Sequence, residues 1–174
     1  MMLLAACQPP AADDYLERGL AKDALPQASD PIASPDTTNA IWAPAQQQGR
    51  LLFGVPGQTP LLAMQCEGAG ETAKLTFTRF VRADREAQAM MALVGNFHAL
   101  RLPVDSTWNG RAWLWQGSVP ASHPDLEALT GTREVEATVP GAGTLVMAPS
   151  PLTRELIDAC RNGAEATAPA QPAR

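Results

Sequence analysis

The sequence predicts a mainly β domain of the α+β class, an antiparallel, sandwich-like sheet accompanied by one C-terminal helix. The sheet is predicted by turn signals between β-rich runs, which occur at residues 104–115 and again at 134–149. The helix is predicted at about 150–162, where apolar residues recur at helical spacing between recognisable end signals. The 174 residues have room for one ordinary domain, and a hydrophobic share of 45% allows a packed core.

The first half of the domain is predicted to consist mostly of strands. Three runs are rich in apolar and β-branched residues: 50–55, 61–66 and 74–81. Residues 84–91 are predicted to form one or two helical turns. A long strand is predicted over 93–104, with a bulge at Gly95-Asn96, because glycine inside a strand often marks one.

The first hairpin, 104–115, is predicted to turn at Asn109-Gly110, a residue pair that type I′ turns favour. A two-residue loop pairs Trp108 with Arg111, Ser106 with Trp113 and Val104 with Trp115. The three tryptophans then share one face, because side chains alternate between faces along a strand. Trp113 and Trp115 are expected in the core, with a ligand platform as the alternative. Trp108 is expected to be exposed and stacked on Arg111, which makes these two residues a candidate binding tip.

The second hairpin, 134–149, is predicted to turn at Gly141-Ala142-Gly143, with Gly143 left-handed as in a G1-type bulge. This register pairs Val139 with Leu145 and Ala137 with Met147. It is preferred because a slip by one residue would turn these apolar side chains away from the core. A short helix at 124–129, ended by Gly131, is expected before the hairpin.

The predicted C-terminal helix begins with Ser150 as its N-cap and Pro151 at the first helical position. Its apolar positions, which fall on one face, are Leu152, Leu156, Ala159 and Cys160. Gly163 can take the left-handed conformation that commonly ends a helix. The helix therefore directs Cys160 towards the core.

Near the N-terminus, the run Leu4-Ala5-Ala6-Cys7 resembles the lipobox of bacterial lipoproteins. In proteins of that class the cysteine becomes the mature N-terminus and carries the acyl chains. A complete signal peptide has a basic region and an apolar run of roughly 7–15 residues, whereas residues 1–6 contain no basic residue. The resemblance implies that residues 1–6 are the remnant of a signal peptide that starts upstream. The alternative is a cytosolic protein in which the match arises by chance.

The rest of the chain divides into three predicted segments. Residues 7–40 are predicted to be a flexible tether, because they contain many Pro, Ser, Asp and Ala residues and few large apolar ones. Residues 41–163 form the predicted globular domain. Residues 164–174 are predicted to be a disordered tail.

The two cysteines of the predicted domain, Cys66 and Cys160, are 94 residues apart and neither belongs to a CxxC pair. In an oxidising compartment they are expected to form a disulfide, which leaves Cys7 for the lipid. Two independent buried thiols are the alternative. No metal site is expected, because the two histidines, His98 and His123, lie far from both cysteines in the sequence.

The lipobox, the cysteine pair and the runs 101–105 and 137–145 together resemble an uncharacterised family of proteobacterial lipoproteins. The resemblance covers about residues 41–163. It implies attachment through lipid to a membrane of the cell envelope, with the outer membrane expected, and a domain that faces the periplasm. It implies no activity.

Composition and motifs exclude several functions. The chain has 13 basic and 18 acidic residues, and its net charge of −5 argues against a nucleic-acid partner. No nucleophile elbow, phosphate-binding loop or zinc-protease motif is present, and no cofactor is expected. No catalytic residue is assigned, because His98 or His123 can be combined with Asp105 or Asp125 only by arbitrary choice. Four basic residues are expected to form a solvated edge, with a contact for anionic lipid headgroups or a polyanionic envelope polymer as the alternative: Lys74, Arg79, Arg82 and Arg85.

Two hypotheses of different class follow. The first is a non-enzymatic, membrane-tethered envelope module that binds a protein or polymer partner. The alternative is an envelope inhibitor or a hydrolase-type protein of the periplasm. A deep pocket around His98, Asp105 or Glu136 would favour the enzyme, whereas an exposed tip with Trp108 and Arg111 would favour the binding module.

Overall fold

The computed structural model describes residues 28–163 and shows, within them, one antiparallel sheet of nine strands that is nearly closed. The strands are β1 (Ile41–Pro44), β2 (Arg50–Gly54), β3 (Leu62–Glu67), β4 (Lys74–Arg82), β5 (Gln88–Gly95), β6 (His98–Trp108), β7 (Trp113–Pro120), β8 (Val135–Thr138) and β9 (Thr144–Met147). Their order across the sheet is β1-β2-β3-β4-β7-β6-β5-β8-β9. One α-helix, α1 (Pro151–Arg161), follows β9, and 3₁₀ helices lie at Gly70–Thr72 and Pro124–Leu129. The predicted mainly β fold with one C-terminal helix is confirmed.

The core lies on the inner face of the curled sheet. Alternate residues of the strands point to this face, as the two-residue period of a strand requires. The largest side chains with almost no exposed surface are Phe53, Leu62, Met64, Leu75, Phe77, Met91, Leu93, Leu100, Leu102, Leu126, Leu145 and Met147. They form one continuous cluster with Leu156, Ile157 and Cys160 of α1.

Helix α1 packs against strands β1 to β4. Its ends are as predicted, because the Ser150 hydroxyl accepts a hydrogen bond from the Leu152 N–H at 3.3 Å and Gly163 has a φ of 65°. Its buried face is turned slightly from the predicted one: Thr153 and Ile157 are buried, whereas Leu152 is only partly buried. The reason for the turn is that the Thr153 hydroxyl donates to the Leu129 carbonyl at 2.7 Å.

The predicted disulfide is present. It joins Cys160 in α1 to Cys66 in β3, with 5.6 Å between the two Cα atoms. The bond therefore fixes the C-terminal helix to the strand that is third in the sheet order. The alternative of two independent thiols is wrong.

The strand predicted over 93–104 is present in two pieces, but the other predictions for residues 84–104 are wrong. No helical turn forms at 84–91 and no bulge at Gly95-Asn96; instead β5 and β6 form a tight hairpin in which Gly95 pairs with His98. The two turn residues, Asn96 and Phe97, both have positive φ, at 48° and 66°. Asn96 is held there by its side chain, whose Nδ2 donates to the Ala128 carbonyl at 2.8 Å and whose Oδ1 accepts from the Arg133 N–H at 3.0 Å.

In the hairpin of β6 and β7 the tryptophans lie on one face, as predicted, but the strands pair in a different register. Trp108 pairs with Trp113 and Ser106 pairs with Trp115, which corrects the predicted pairs Trp108–Arg111 and Ser106–Trp113. The loop has four residues instead of two, because the Asn109 side-chain oxygen accepts the N–H groups of both Arg111 and Ala112 at 2.9 Å. The tryptophans still share one face, since the register shifts by two residues.

The hairpin of β8 and β9 shows the same kind of correction. Ala137 pairs with Leu145 and Val135 with Met147, so the predicted three-residue turn is a five-residue loop over 139–143. Gly143 has the predicted left-handed conformation, with a φ of 71°. The loop is longer because Ala142 is buried in the core.

Residues 28–40 lie against the sheet, before the predicted domain boundary at residue 41. The Ser29 hydroxyl donates to Asp84 at 2.5 Å, the Ile32 N–H donates to the Gly141 carbonyl at 2.9 Å, and Ala40 is buried. The predicted signal remnant, the lipid site Cys7, the first part of the tether and the tail over 164–174 lie outside the described residues. Within residues 28–163, no helix has the length and hydropathy needed to span a bilayer.

Arg79 corrects the expectation of a solvated basic edge. It points inwards from β4 and only 3% of its surface is exposed. Its guanidinium donates to the Leu61 carbonyl at 2.9 Å and to the Ala142 carbonyl at 3.1 Å. Arg79 therefore links β3 and β4 to the β8–β9 loop across the interior, and burial lowers its pKa to about 10.

Candidate functional site

The tip of the β6–β7 hairpin carries an exposed tryptophan, a partly buried tryptophan and an exposed arginine, which we call the Trp tip (Trp108, Trp113 and Arg111). Trp108 is 52% exposed, and its ring centroid is 5.7 Å from that of Trp113, which is partly buried. The neighbour of the Trp108 ring is Trp113 and not Arg111, because the four-residue loop places Trp113 opposite Trp108. Arg111 is exposed in the loop beside them. The tip can therefore present a large apolar surface next to a positive charge.

A second exposed surface lies on the outer face of β5, β8 and β9, and we call it the outer patch (Val94, Phe97, Glu134, Glu136 and Val146). Phe97 is 89% exposed in the β5–β6 turn. Glu136 stands between Val94 and Val146 in the cross-strand register, and both valines are exposed. Exposed apolar side chains that cluster in this way commonly mark an interaction surface. The sequence did not reveal this patch, because Asn96-Phe97 is not a typical turn pair.

The outer patch borders a hollow of about 810 Å³ that also includes His98 and Arg133. The Arg133 guanidinium carbon lies over the Phe97 ring, 4.3 Å from its centroid. His98 faces Asp125, with 3.8 Å between Nδ1 and the carboxylate oxygen. Asp105 lies elsewhere, where it accepts a hydrogen bond from the Gln88 side chain at 2.9 Å. The structure therefore brings together His98 and Glu136, but not Asp105, around one hollow.

The other histidine has a local structural role. The His123 Nδ1 accepts the Asp125 N–H at 3.2 Å and so caps the 3₁₀ helix Pro124–Leu129. Glu127 of the same helix accepts hydrogen bonds from Thr130 at 2.5 Å and from Arg161 of α1 at 3.0 Å. These two hydrogen bonds, that from Thr130 first, lower the pKa of Glu127. The group joins the 3₁₀ helix to α1.

No cluster of His, Cys, Asp and Glu suited to a metal ion occurs among residues 28–163. Of the residues that the sequence singled out, Trp108 and Arg111 share the Trp tip, and Cys66 and Cys160 share the disulfide. Cys7 lies outside the described residues. The exposed side chains thus offer two surfaces for contacts, the Trp tip and the outer patch.

Comparisons with known proteins give no relative for this chain: no family model, curated protein or solved structure matches it. The resemblance to an uncharacterised lipoprotein family therefore stays a prediction. The function has to be argued from the chain's own residues and their geometry.

Proposed function

We propose that the protein is a non-enzymatic binding module of the bacterial cell envelope, anchored to the outer membrane through lipid on Cys7 and facing the periplasm. The observation that carries the proposal is the disulfide between Cys66 and Cys160. Disulfides persist in oxidising compartments such as the periplasm and are rare in the cytosol. The run Leu4-Ala5-Ala6-Cys7 adds a lipid attachment site to the same compartment.

The Trp tip supports the binding part of the proposal. Tryptophan and arginine are enriched where proteins contact their partners, because tryptophan buries much surface for few rotatable bonds and the arginine guanidinium offers several hydrogen-bond donors. Trp108 projects at the end of a long hairpin, away from the core cluster. The proposed partner is an envelope protein or an envelope polymer, and not a nucleic acid.

The anchor is tested by metabolic labelling with an alkyne analogue of palmitate. The chain is expressed in a Gram-negative bacterium with a complete signal peptide placed ahead of Leu4. We expect label on the unaltered chain and none on Cys7→Ser, while Cys66→Ala/Cys160→Ala keeps its label. An unlabelled parent chain in the membrane-free fraction would contradict the proposal.

The binding role is tested by site-specific photocrosslinking in the same strain. Benzoylphenylalanine in place of Trp108 is expected to give crosslinked species with an envelope protein or polymer. The matched control carries the same group in place of Glu155, which is exposed on α1. Equal adducts from both positions, or none from position 108, would count against the Trp tip.

The alternative function is an envelope inhibitor or a hydrolase-type protein. The observation that favours it is the hollow whose lining includes His98, Glu134 and Glu136. A hydrolase would lose turnover of envelope glycans or peptides on His98→Ala and keep it on Trp108→Ala. The binding module predicts no turnover by the unaltered chain.

A further inference from the structure

The sheet ends at β9, and within residues 28–163 the edge of this strand is covered by Ser34 at Thr144 and unpaired beyond it, beside the outer patch. β9 pairs with β8 and is last in the strand order. The Thr144 N–H points away from β8, because it donates to the Ser34 hydroxyl at 2.9 Å. Backbone groups alternate in direction along an antiparallel strand, so the N–H and C=O of Val146 also point off the sheet. Within residues 28–163, no backbone partner meets them on that side.

The side chains next to this edge repeat one arrangement twice. Glu136 pairs with Val146, and the same register continued by two residues places Glu134 beside Ala148. All four residues are exposed. Neither glutamate forms an ion pair within the described part of the chain. Val146 and Ala148 at the edge therefore each have, on the neighbouring strand side, a glutamate that forms no ion pair within the described residues.

We propose that this edge binds an extended segment of another protein as an additional strand, and that the segment carries two basic residues two positions apart. Strand addition supplies backbone hydrogen bonds, and alternate side chains supply specificity. A residue opposite Val146 would have its side chain on the outer face. Glu136 lies two strand spacings from this added residue, about 10 Å away. A lysine or arginine stem can cover Val146 while its charged end reaches the Glu136 carboxylate.

The second basic residue follows from the same geometry. Two positions further along the added segment, a side chain lies opposite Ala148 and on the same face. Its charged end can reach Glu134 in the same way. Two basic residues that are adjacent would point to opposite faces, so the spacing is part of the recognition.

The other charged groups around the hollow, Arg133 and His98, form no ion pair with Glu134 or Glu136 within residues 28–163. The Arg133 guanidinium lies over the Phe97 ring, in the β5–β6 turn and not in β9. His98 faces Asp125. The hollow of about 810 Å³ leaves room on the outer face for the added side chains.

Two other occupants of the edge fit less well. In residues 1–27 and 164–174 of this chain the basic residues are Arg18, Lys22 and Arg174, and no two are two positions apart. A second copy of the chain, paired edge to edge, would bring its own Glu134 and Glu136 to the same face, and like charges repel. The occupant is therefore a basic segment of a different protein.

The proposal is tested with the full chain, disulfide intact, and the capped heptapeptide Ser-Thr-Lys-Thr-Lys-Thr-Ser. An isomer with adjacent lysines, Ser-Thr-Thr-Lys-Lys-Thr-Ser, has the same composition and charge. NMR titration at low ionic strength is expected to shift the amides of Val146 and Ala148 with the first peptide. The isomer should bind at least about threefold more weakly.

Variants of the chain and of the peptide separate strand addition from simple charge attraction. Glu136→Gln is expected to weaken binding about threefold, Glu134→Gln/Glu136→Gln about tenfold, and Glu155→Gln not at all. Methylation of a lysine backbone nitrogen should abolish binding, because that nitrogen would donate to the edge. The proposal is overturned if the Val146 amide does not shift at millimolar peptide. It is also overturned if the isomer, the methylated peptide or the doubly substituted chain binds as well as its parent.

Discussion

At the residue scale, polar side chains hold the loops and turns in place where the backbone hydrogen bonds between strands end. Arg79 ties the β8–β9 loop to the segment just before β3 by donating to the Ala142 and Leu61 carbonyls. Asn96 holds the β5–β6 turn against the segment that contains Ala128 and Arg133. The space is tight, since a Cβ added to Gly131 would lie 2.0 Å from the Asn96 side-chain oxygen. The position of Phe97 therefore depends on its neighbour Asn96.

We predict that Asn96→Ala lowers the free energy of unfolding by about 2–3 kcal/mol. The change removes two hydrogen bonds and places alanine at a positive φ. Asn109→Ala is the matched control, because its hydrogen bonds are exposed, and it should cost about 1 kcal/mol. Urea denaturation measures both, and an equal loss in the two variants would contradict the assigned role of Asn96.

The tryptophans are predicted to differ strongly in their contribution to stability. Trp115 is 8% exposed and packs in the core, so Trp115→Ala should cost about 3–5 kcal/mol. Trp108→Ala should cost about 1 kcal/mol or less, because its ring is half exposed. Thermal and urea unfolding check both values. A Trp108 variant that unfolds would remove the Trp tip as a surface free for binding.

The acid dependence of stability should report on Glu127. Its folded pKa is lowered, so the carboxylate stabilises the fold above its unfolded value of 4.5, and this contribution disappears as pH falls through the folded value. The free energy of unfolding of Glu127→Gln should therefore fall less than that of the parent chain as the pH drops below 4.5. Glu155→Gln is the exposed control on α1. Identical pH profiles for the parent chain and Glu127→Gln, from urea denaturation, would show that the cluster is not formed.

At the element scale, the strand faces were predictable and the loop lengths were not. The alternation of apolar residues placed Trp108, Trp113 and Trp115 on one face, and the structure confirms it. The loops differ because they depend on single contacts, such as the Asn109 side chain and the burial of Ala142. The β5–β6 hairpin was missed for the same reason, since its turn depends on the side chain of Asn96.

The disulfide is predicted to be the strongest single link between elements. In the chain-entropy model, opening a loop of 94 residues costs about 4–5 kcal/mol. Cys66→Ala/Cys160→Ala should lose this amount in urea denaturation, with α1 detached first because the bond fixes it to β3. Cys7→Ser should leave the unfolding free energy unchanged. A loss below about 1 kcal/mol would mean that the packing of α1 alone holds the helix.

At the scale of the whole molecule, local pattern predicts the class of fold but not the sheet order. The non-consecutive pairs β4–β7 and β5–β8 join strands far apart in sequence, and nothing local marks them. Arg79 looked like part of a solvated basic run, although strand alternation places it on the same face as Leu75 and Phe77, and the structure buries it there. The cysteine pair was predictable because the predicted domain holds an even number of cysteines and an oxidising compartment was expected. The outer patch was not, because it is assembled from three strands and a turn.

The two exposed surfaces give the proposed module distinct contacts. The Trp tip is mainly apolar with a positive charge from Arg111, whereas the β9 edge is flanked by Glu134 and Glu136. Surfaces of opposite charge favour different partners. A tethered domain with both could hold two envelope components near each other at the membrane.

The central claim, an exported and lipid-anchored domain, is tested most directly by intact-mass and peptide mass spectrometry of the protein purified from bacterial membranes. The account predicts a chain that begins at Cys7 with acyl groups on that residue, and a peptide pair linked through Cys66 and Cys160 that separates only after reduction. A chain that retains Met1 and carries three free thiols would contradict it.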